Sequence, residues 1–121
     1  MINALVVDDC RDQADTICQM LNYLNVDAQV SYGSMSALGY LSQATPDVVF
    51  LDINMPGATG FEVLSYVKRE PRMAHVPVIF VTADESLDTA ARAHKEGAFA
   101  LLVKPTSIEE IESVLKSARI I

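Results

Sequence analysis

The chain has 121 residues, with 9 Lys and Arg against 16 Asp and Glu, a formal net charge of −7, and half of its residues are hydrophobic. That length holds one ordinary domain whose core needs no disulfide or structural metal, and the apolar fraction excludes a disordered chain. The acidic balance, with no run of Lys or Arg, argues against a nucleic-acid or anionic-membrane surface.

Ala4–Val7 predicts a first strand. No basic region precedes it and the chain turns acidic at Asp8-Asp9, so this is not a signal peptide. No apolar run anywhere approaches the ~18 residues of a membrane span. A helix follows with Ile17, Leu21 and Leu24 on one stripe. Cys10 and Cys18 lie on or beside it without the spacing of a disulfide framework, which predicts reduced thiols in a cytoplasmic protein. A thiolate beside carboxylates is disfavoured, so Cys10 is expected to be a small buried side chain.

Strand Ala28–Val30 leads to a helix striped by Ala37, Leu38 and Leu41. Strand Val48–Leu51 leads to a helix striped by Phe61, Leu64 and Val67, opened by a Thr59-x-x-Glu62 capping box and stopped by Pro71. Strand Val76–Val81 precedes a weak, Ala-rich helix striped by Leu87, Ala91 and His94, with Gly97 suited to its C-terminal cap. Strand Phe99–Val103 and a helix striped by Ile108, Ile111, Leu115 and Ala118, opened by Ser107-x-x-Glu110, complete the chain. His75 and His94 have no metal-ligand spacing and read as surface residues.

These short apolar runs alternate poorly, as strands covered on both faces do. Strict strand–helix alternation implies a parallel sheet with helices on both sides. A closed barrel would need eight such units, so five favour an open, doubly wound α/β sheet in the order 2-1-3-4-5, with residues 1–121 forming one domain. Ligands bind beyond the C-terminal strand ends where the winding reverses, here between the first and third strands.

That rim gathers Asp8 and Asp9 from strand 1, Asp52 from strand 3, Thr82-Ala83 from strand 4 and Lys104-Pro105 from strand 5. Two unit charges about 4 Å apart repel by roughly 4 kcal/mol at an effective dielectric near 20. Three clustered carboxylates therefore call for a hard divalent cation beside Lys104, and Mg²⁺ fits best because it shares carboxylates with waters and phosphate oxygens.

Asp8-Asp9, Asp52-x-Asn54-Met55-Pro56 with Gly60 following, Thr82-Ala83 and Lys104-Pro105 together resemble the signature of the receiver domain of two-component response regulators, across essentially the whole chain. The resemblance implies the flavodoxin-like receiver fold and a phosphorylation-controlled signalling switch. It implies that Asp52 is the phosphoacceptor and that Asp8, Asp9 or both, directly or through water, hold Mg²⁺ together with Asp52 and the Asn54 carbonyl. Lys104 and Thr82 would then meet the phosphoryl oxygens, Ala83 would leave room for the incoming group, and Lys104-Pro105 would be a cis bond beside it. The phosphodonor implied is a sensor histidine kinase or phosphotransfer protein, docking near the first helix. The face of the fourth helix, fifth strand and fifth helix is the one expected to change. No separate substrate turnover is implied, and the output partner stays open.

Two positions depart from the family pattern. Leu101 stands where an aromatic residue is usual, and Thr106 where Phe is common. Phe99 shares a face with Leu101 by strand alternation and is the ring that could replace it. The charge pattern typical of receivers that dimerise to drive winged-helix DNA binding is missing too. An aspartyl-phosphate hydrolase of the haloacid-dehalogenase type would need an aspartate two residues beyond the first-strand nucleophile, where this chain has Cys10. A flavodoxin-like electron carrier would need a Ser/Thr/Gly-rich loop after strand 1. A receiver acting only as an unphosphorylated scaffold would not need the complete acid set.

Overall fold

A computed structural model describes residues 1–121. The elements in chain order are β1 (Asn3–Val7), α1 (Arg11–Tyr23), β2 (Asp27–Ser31), α2 (Ser34–Leu41), β3 (Val48–Leu51), α3 (Gly60–Arg69), β4 (Val78–Thr82), α4 (Leu87–Lys95), β5 (Ala100–Val103) and α5 (Ile108–Ser117). All strand pairs are parallel and the sheet runs β2-β1-β3-β4-β5, as the alternation predicts.

Alternate residues of each strand face opposite sides, and each side has its own core. Leu5, Val7, Val49, Leu51, Val78 and Phe80 pack with Ala37, Leu41, Leu64 and Val67 of α2 and α3 and with Ala93 of α4. Ala4, Val6, Val48, Phe50, Ile79 and Val81 pack with Ile17 and Leu21 of α1 and Ile111 and Leu115 of α5. Each fully buried Leu, Ile or Phe side chain contributes roughly 1.5–3 kcal/mol, so the two cores hold the sheet from both sides. Continuous burial holds for the central β1, β3 and β4; β2 and β5, at the edges, are only partly covered.

Both predicted capping boxes form, with Thr59 and Glu62 at α3 and Ser107 and Glu110 at α5. α3 ends just before Pro71, and Gly97 takes a φ of 97° after α4. Four strands differ from expectation at their ends, β1 by starting one residue early at Asn3, which pairs with Asp27. β2 extends to the polar Asp27 and Ser31 because the backbone ladder to β1 continues through Asn3↔Asp27 and Val7↔Ser31. β4 starts at Val78, since Pro77 has no N–H to donate and the Val76 amide turns back to the Met73 carbonyl. It runs on to Thr82, opposite Val103. β5 starts at Ala100, one residue later than expected.

The stripe expected on α4 is corrected too. Leu87 is 85% exposed, Ala91 and His94 are also exposed, and Ala93 is the helix's one buried residue. The inward face is Thr89, Ala90 and Ala93, where small side chains give little contrast in hydrophobicity for a periodicity to reveal. Few buried side chains hold α4 to the rest of the domain.

Candidate functional site

The site is assembled by the sheet's own hydrogen bonding carried one residue past the strand ends. Asp8 N–H donates to the Ser31 carbonyl at 3.2 Å, Asp52 N–H to the Val7 carbonyl at 2.9 Å, and Lys104 N–H to the Thr82 carbonyl at 2.8 Å. Three residues from distant parts of the chain are thus set at one level of one rim. The Lys104-Pro105 bond is cis.

Lys104 Nζ lies 2.8 Å from Asp8 Oδ2 and 3.6 Å from Asp52 Oδ1, and both carboxylates are nearly buried. Cys10 N–H donates to the free Asp8 Oδ1 at 2.9 Å, and Ile53 N–H donates to Asp52 Oδ1 at 2.9 Å. Carboxylate oxygens of Asp8, Asp9 and Asp52 all lie within 4.8 Å of one another, and Asp9 is exposed. Burial pushes the Asp52 carboxyl above its ordinary value; Lys104 opposes this, while Asp8 and, more weakly, Asp9 add to it. One ammonium faces three acids, so the rim remains short of positive charge.

Those hard oxygen donors suit a cation of the size of Mg²⁺, which sits about 2.0–2.1 Å from each oxygen it binds. Asn54 is exposed two residues beyond Asp52, and its carbonyl accepts no hydrogen bond, leaving it available as a fourth oxygen. Thr82 is fully buried and Ala83 exposed beside it; Pro105 is exposed next to Lys104. All the residues expected at the rim therefore lie at or beside it. A cavity of about 420 Å³ adjoins the rim, between α1 and the turn after β5, lined by Gln13, Ile17, Met20, Lys104, Pro105 and Thr106 among others. The Thr106 hydroxyl is buried there without a partner.

Three residues that no motif singled out for these roles support the site. Gln13 Oε1 accepts a hydrogen bond from Lys104 Nζ. Ser34 is buried at the start of α2, where its Oγ donates to the Pro56 carbonyl at 3.2 Å and accepts from Ala58 N–H at 3.1 Å, clamping the loop after β3. Gly60 stands so close to that loop that a Cβ would fall 2.4 Å from the Asp52 carbonyl oxygen and 2.7 Å from Ile53 Cα. Both atoms are backbone and cannot swing aside. Gly60→Ala is expected to cost roughly 1–3 kcal/mol, the scale of overpacking, read as a lower urea midpoint at unchanged m-value. An unchanged midpoint would show that the loop yields freely.

One expectation is corrected, and the alternative offered for the missing ring is answered. Cys10 is exposed, not buried: it occupies the N-cap of α1, where its main chain does the work, the N–H on Asp8 and the carbonyl accepting from Ala14 N–H at 3.0 Å. Phe99 does not replace the missing ring. It is 45% exposed and outside the core, whereas the half-buried Leu101 packs against the α2–α3–α4 side. Both cysteines are free, and burial, then Asp15, pushes the Cys18 thiol up. His75 and His94 are exposed, and no helix is long and apolar enough to cross a membrane.

The family model described as the response regulator receiver domain matches residues 4–116. The chain is 30% identical over 93% of its length to the regulatory protein LuxO of Vibrio cholerae, covering 24% of that protein. It is 41% identical over 67% of its length to the DNA-binding transcriptional regulator NtrC of Salmonella typhimurium, covering 17% of it. The chain thus spans a quarter or less of the curated relatives it matches. The solved chemotaxis response regulator CheY4 of Vibrio cholerae superposes with a TM-score of 0.90 at 26% identity, over 98% of each chain.

Proposed function

Because the chain belongs to the response regulator receiver domain family, whose members are phosphorylation-controlled switches of two-component signalling, we propose that Asp52 is the residue that accepts the phosphoryl group. The observation that carries this is the placement of Lys104 Nζ at 2.8 Å from Asp8 and 3.6 Å from Asp52, at the reversal of the winding. A carboxylate oxygen of Asp52 attacks the phosphorus of the donor. The new P–O bond forms as the bond to the donor's imidazole nitrogen breaks, and that nitrogen keeps the electron pair.

Phosphoryl transfer asks a protein mainly for positioning and charge. Lys104 faces the equatorial oxygens, the Thr82 hydroxyl turns toward one of them, and Ala83 leaves space for the group. Asp8, Asp9, Asp52 and the Asn54 carbonyl would hold Mg²⁺, which when bound supplies the positive charge the rim lacks. The acyl phosphate is later lost to water, with no separate substrate turned over. The donor is a sensor histidine kinase or phosphotransfer protein in the cytoplasm, docking on α1 beside the cavity that adjoins Lys104. The output partner meets α4, β5 and α5.

Magnesium titration tests the metal part. Stability is expected to rise with Mg²⁺, by about 2.7 kcal/mol at a hundredfold excess over Kd, and transfer from acetyl phosphate is expected to stop in chelator. Asp9→Asn, at an exposed position, should raise the metal-free melting temperature slightly by relieving its repulsion of Asp52, and shift both Mg²⁺ curves to higher concentration. Labelling that proceeds undiminished in chelator would remove the metal from the reading.

A further inference from the structure

The loop between β4 and α4 holds a hydrogen-bond relay that reaches from the site to the least anchored helix. Thr82 Oγ1 accepts from the Asp84 main-chain N–H at 3.2 Å, and its own proton is donated to no group. The Asp84 carboxylate points the other way. It accepts from Ser86 N–H at 2.9 Å and from the Thr89 hydroxyl at 2.5 Å. Ser86 is the N-cap of α4, its Oγ accepting from Thr89 N–H at 3.3 Å and donating to Thr89 Oγ1 at 3.0 Å. The bonds from Thr89, then Ser86, hold the Asp84 carboxyl below its ordinary value. Beyond this cap, α4 is held by one buried side chain, Ala93, and by Arg92 stacked 3.8 Å over the Phe61 ring. With Leu101 where the family pattern has an aromatic residue, the relay is the direct hydrogen-bonded route from Thr82 to α4.

We propose that Asp84 is the positioning residue that ties Thr82 to α4, so that drawing the Thr82 hydroxyl toward a phosphoryl group loosens the first turn of that helix. This rests on Asp52 being the phosphoacceptor. Rotation of the Thr82 hydroxyl turns its lone pairs away from the Asp84 N–H, whose bond is already at the long end of the usual range. As the Asp84 main chain moves, its carboxylate leaves Ser86 N–H and the Thr89 hydroxyl, and first-turn amides of α4 lose their cap. The coupling is reciprocal: a cap that holds the resting arrangement opposes the phosphorylated one.

The experiment compares wild type with Asp84→Ala, Thr89→Val and Thr89→Ser. The readouts are amide exchange at residues 86–90 and the affinity for beryllofluoride with Mg²⁺. In wild type, beryllofluoride is expected to speed exchange at these amides. In Asp84→Ala and Thr89→Val, exchange should be fast beforehand, should rise little on addition, and beryllofluoride should bind about fivefold more tightly, the factor set by loss of one helix cap. Thr89→Ser, which keeps the hydroxyl, should behave as wild type. Faster resting exchange with the full increment and unchanged affinity would make the relay a plain helix cap and overturn the proposal, as would unaltered exchange in both variants. A wild type that binds no beryllofluoride would instead refute the reading of Asp52, and the relay would fall with it; the wild-type arm separates the two failures.

Discussion

Incubated with Mg²⁺ and acetyl phosphate, the protein is expected to gain the mass of one phosphoryl group, and Asp52→Asn to gain none. The amide keeps the shape of the side chain and an oxygen for the Ile53 N–H, which the carboxylate accepts at 2.9 Å, but it has no nucleophilic carboxylate oxygen. The same substitution has a second expected effect, on stability. Burial holds the Asp52 carboxyl above its ordinary value of 3.8, so the folded chain binds this proton more tightly than the unfolded one. Stability therefore falls as pH rises from below 3.8 through the raised value, and the full cost stands at neutral pH. In chelator at neutral pH, Asp52→Asn is expected to melt a few degrees above wild type, with the gap closing on acidification through that window. Equal melting temperatures at neutral pH would mean that Lys104 already compensates the buried charge. A phosphoryl group retained by the variant would place the acceptor elsewhere.

The second large effect is expected from Lys104→Met. Methionine preserves most of the stem but removes the ammonium that bridges Asp8 and Asp52 at 2.8 and 3.6 Å. Removing one preorganised group that faces charge in a transition state costs about 10²–10³ in rate, and a loss of that size is expected in single-turnover labelling by acetyl phosphate. Stability should fall as well, because breaking a buried ion pair leaves an uncompensated charge and costs about 3–5 kcal/mol. Added Mg²⁺ is expected to recover much of the stability, since charge is what was lost, while leaving the rate low. Labelling within threefold of wild type would show that Lys104 serves the resting structure alone.

Much of this site was legible in the chain because its parts sit at strand ends. A strand announces itself by its apolar run, and Asp8, Asp52, Thr82 and Lys104 are the polar residues that end or follow four such runs. Topology then requires them to meet, and backbone ladders deliver them to one level. Support from across the fold was not legible. Gln13 and Ser34 are ordinary polar residues on helices, and their partners lie 91 and 22 positions away. Gly60 was visible as a motif letter, but its necessity is steric, a backbone carbonyl where a Cβ would stand. The outward turn of Leu87, Ala91 and His94 escaped the pattern for another reason: an alanine-rich helix presents nearly the same hydrophobicity in every direction.

The ladders that set Asp8, Asp52 and Lys104 at one height make the domain unequally tolerant of changes in length. Side chains alternate between the two faces of a strand, so deleting a single residue within β1, β3 or β5 would turn the following acid or lysine to the opposite side of the sheet. At the far rim, where the helices return to the strands, extra residues between 42 and 46 would disturb the Arg72 bonds to the Ala44 carbonyl and Thr45 hydroxyl but leave every strand in register, and loop-closure entropy grows slowly with length. Evolutionary insertions can therefore accumulate at one pole of the molecule while the other keeps an unbroken count.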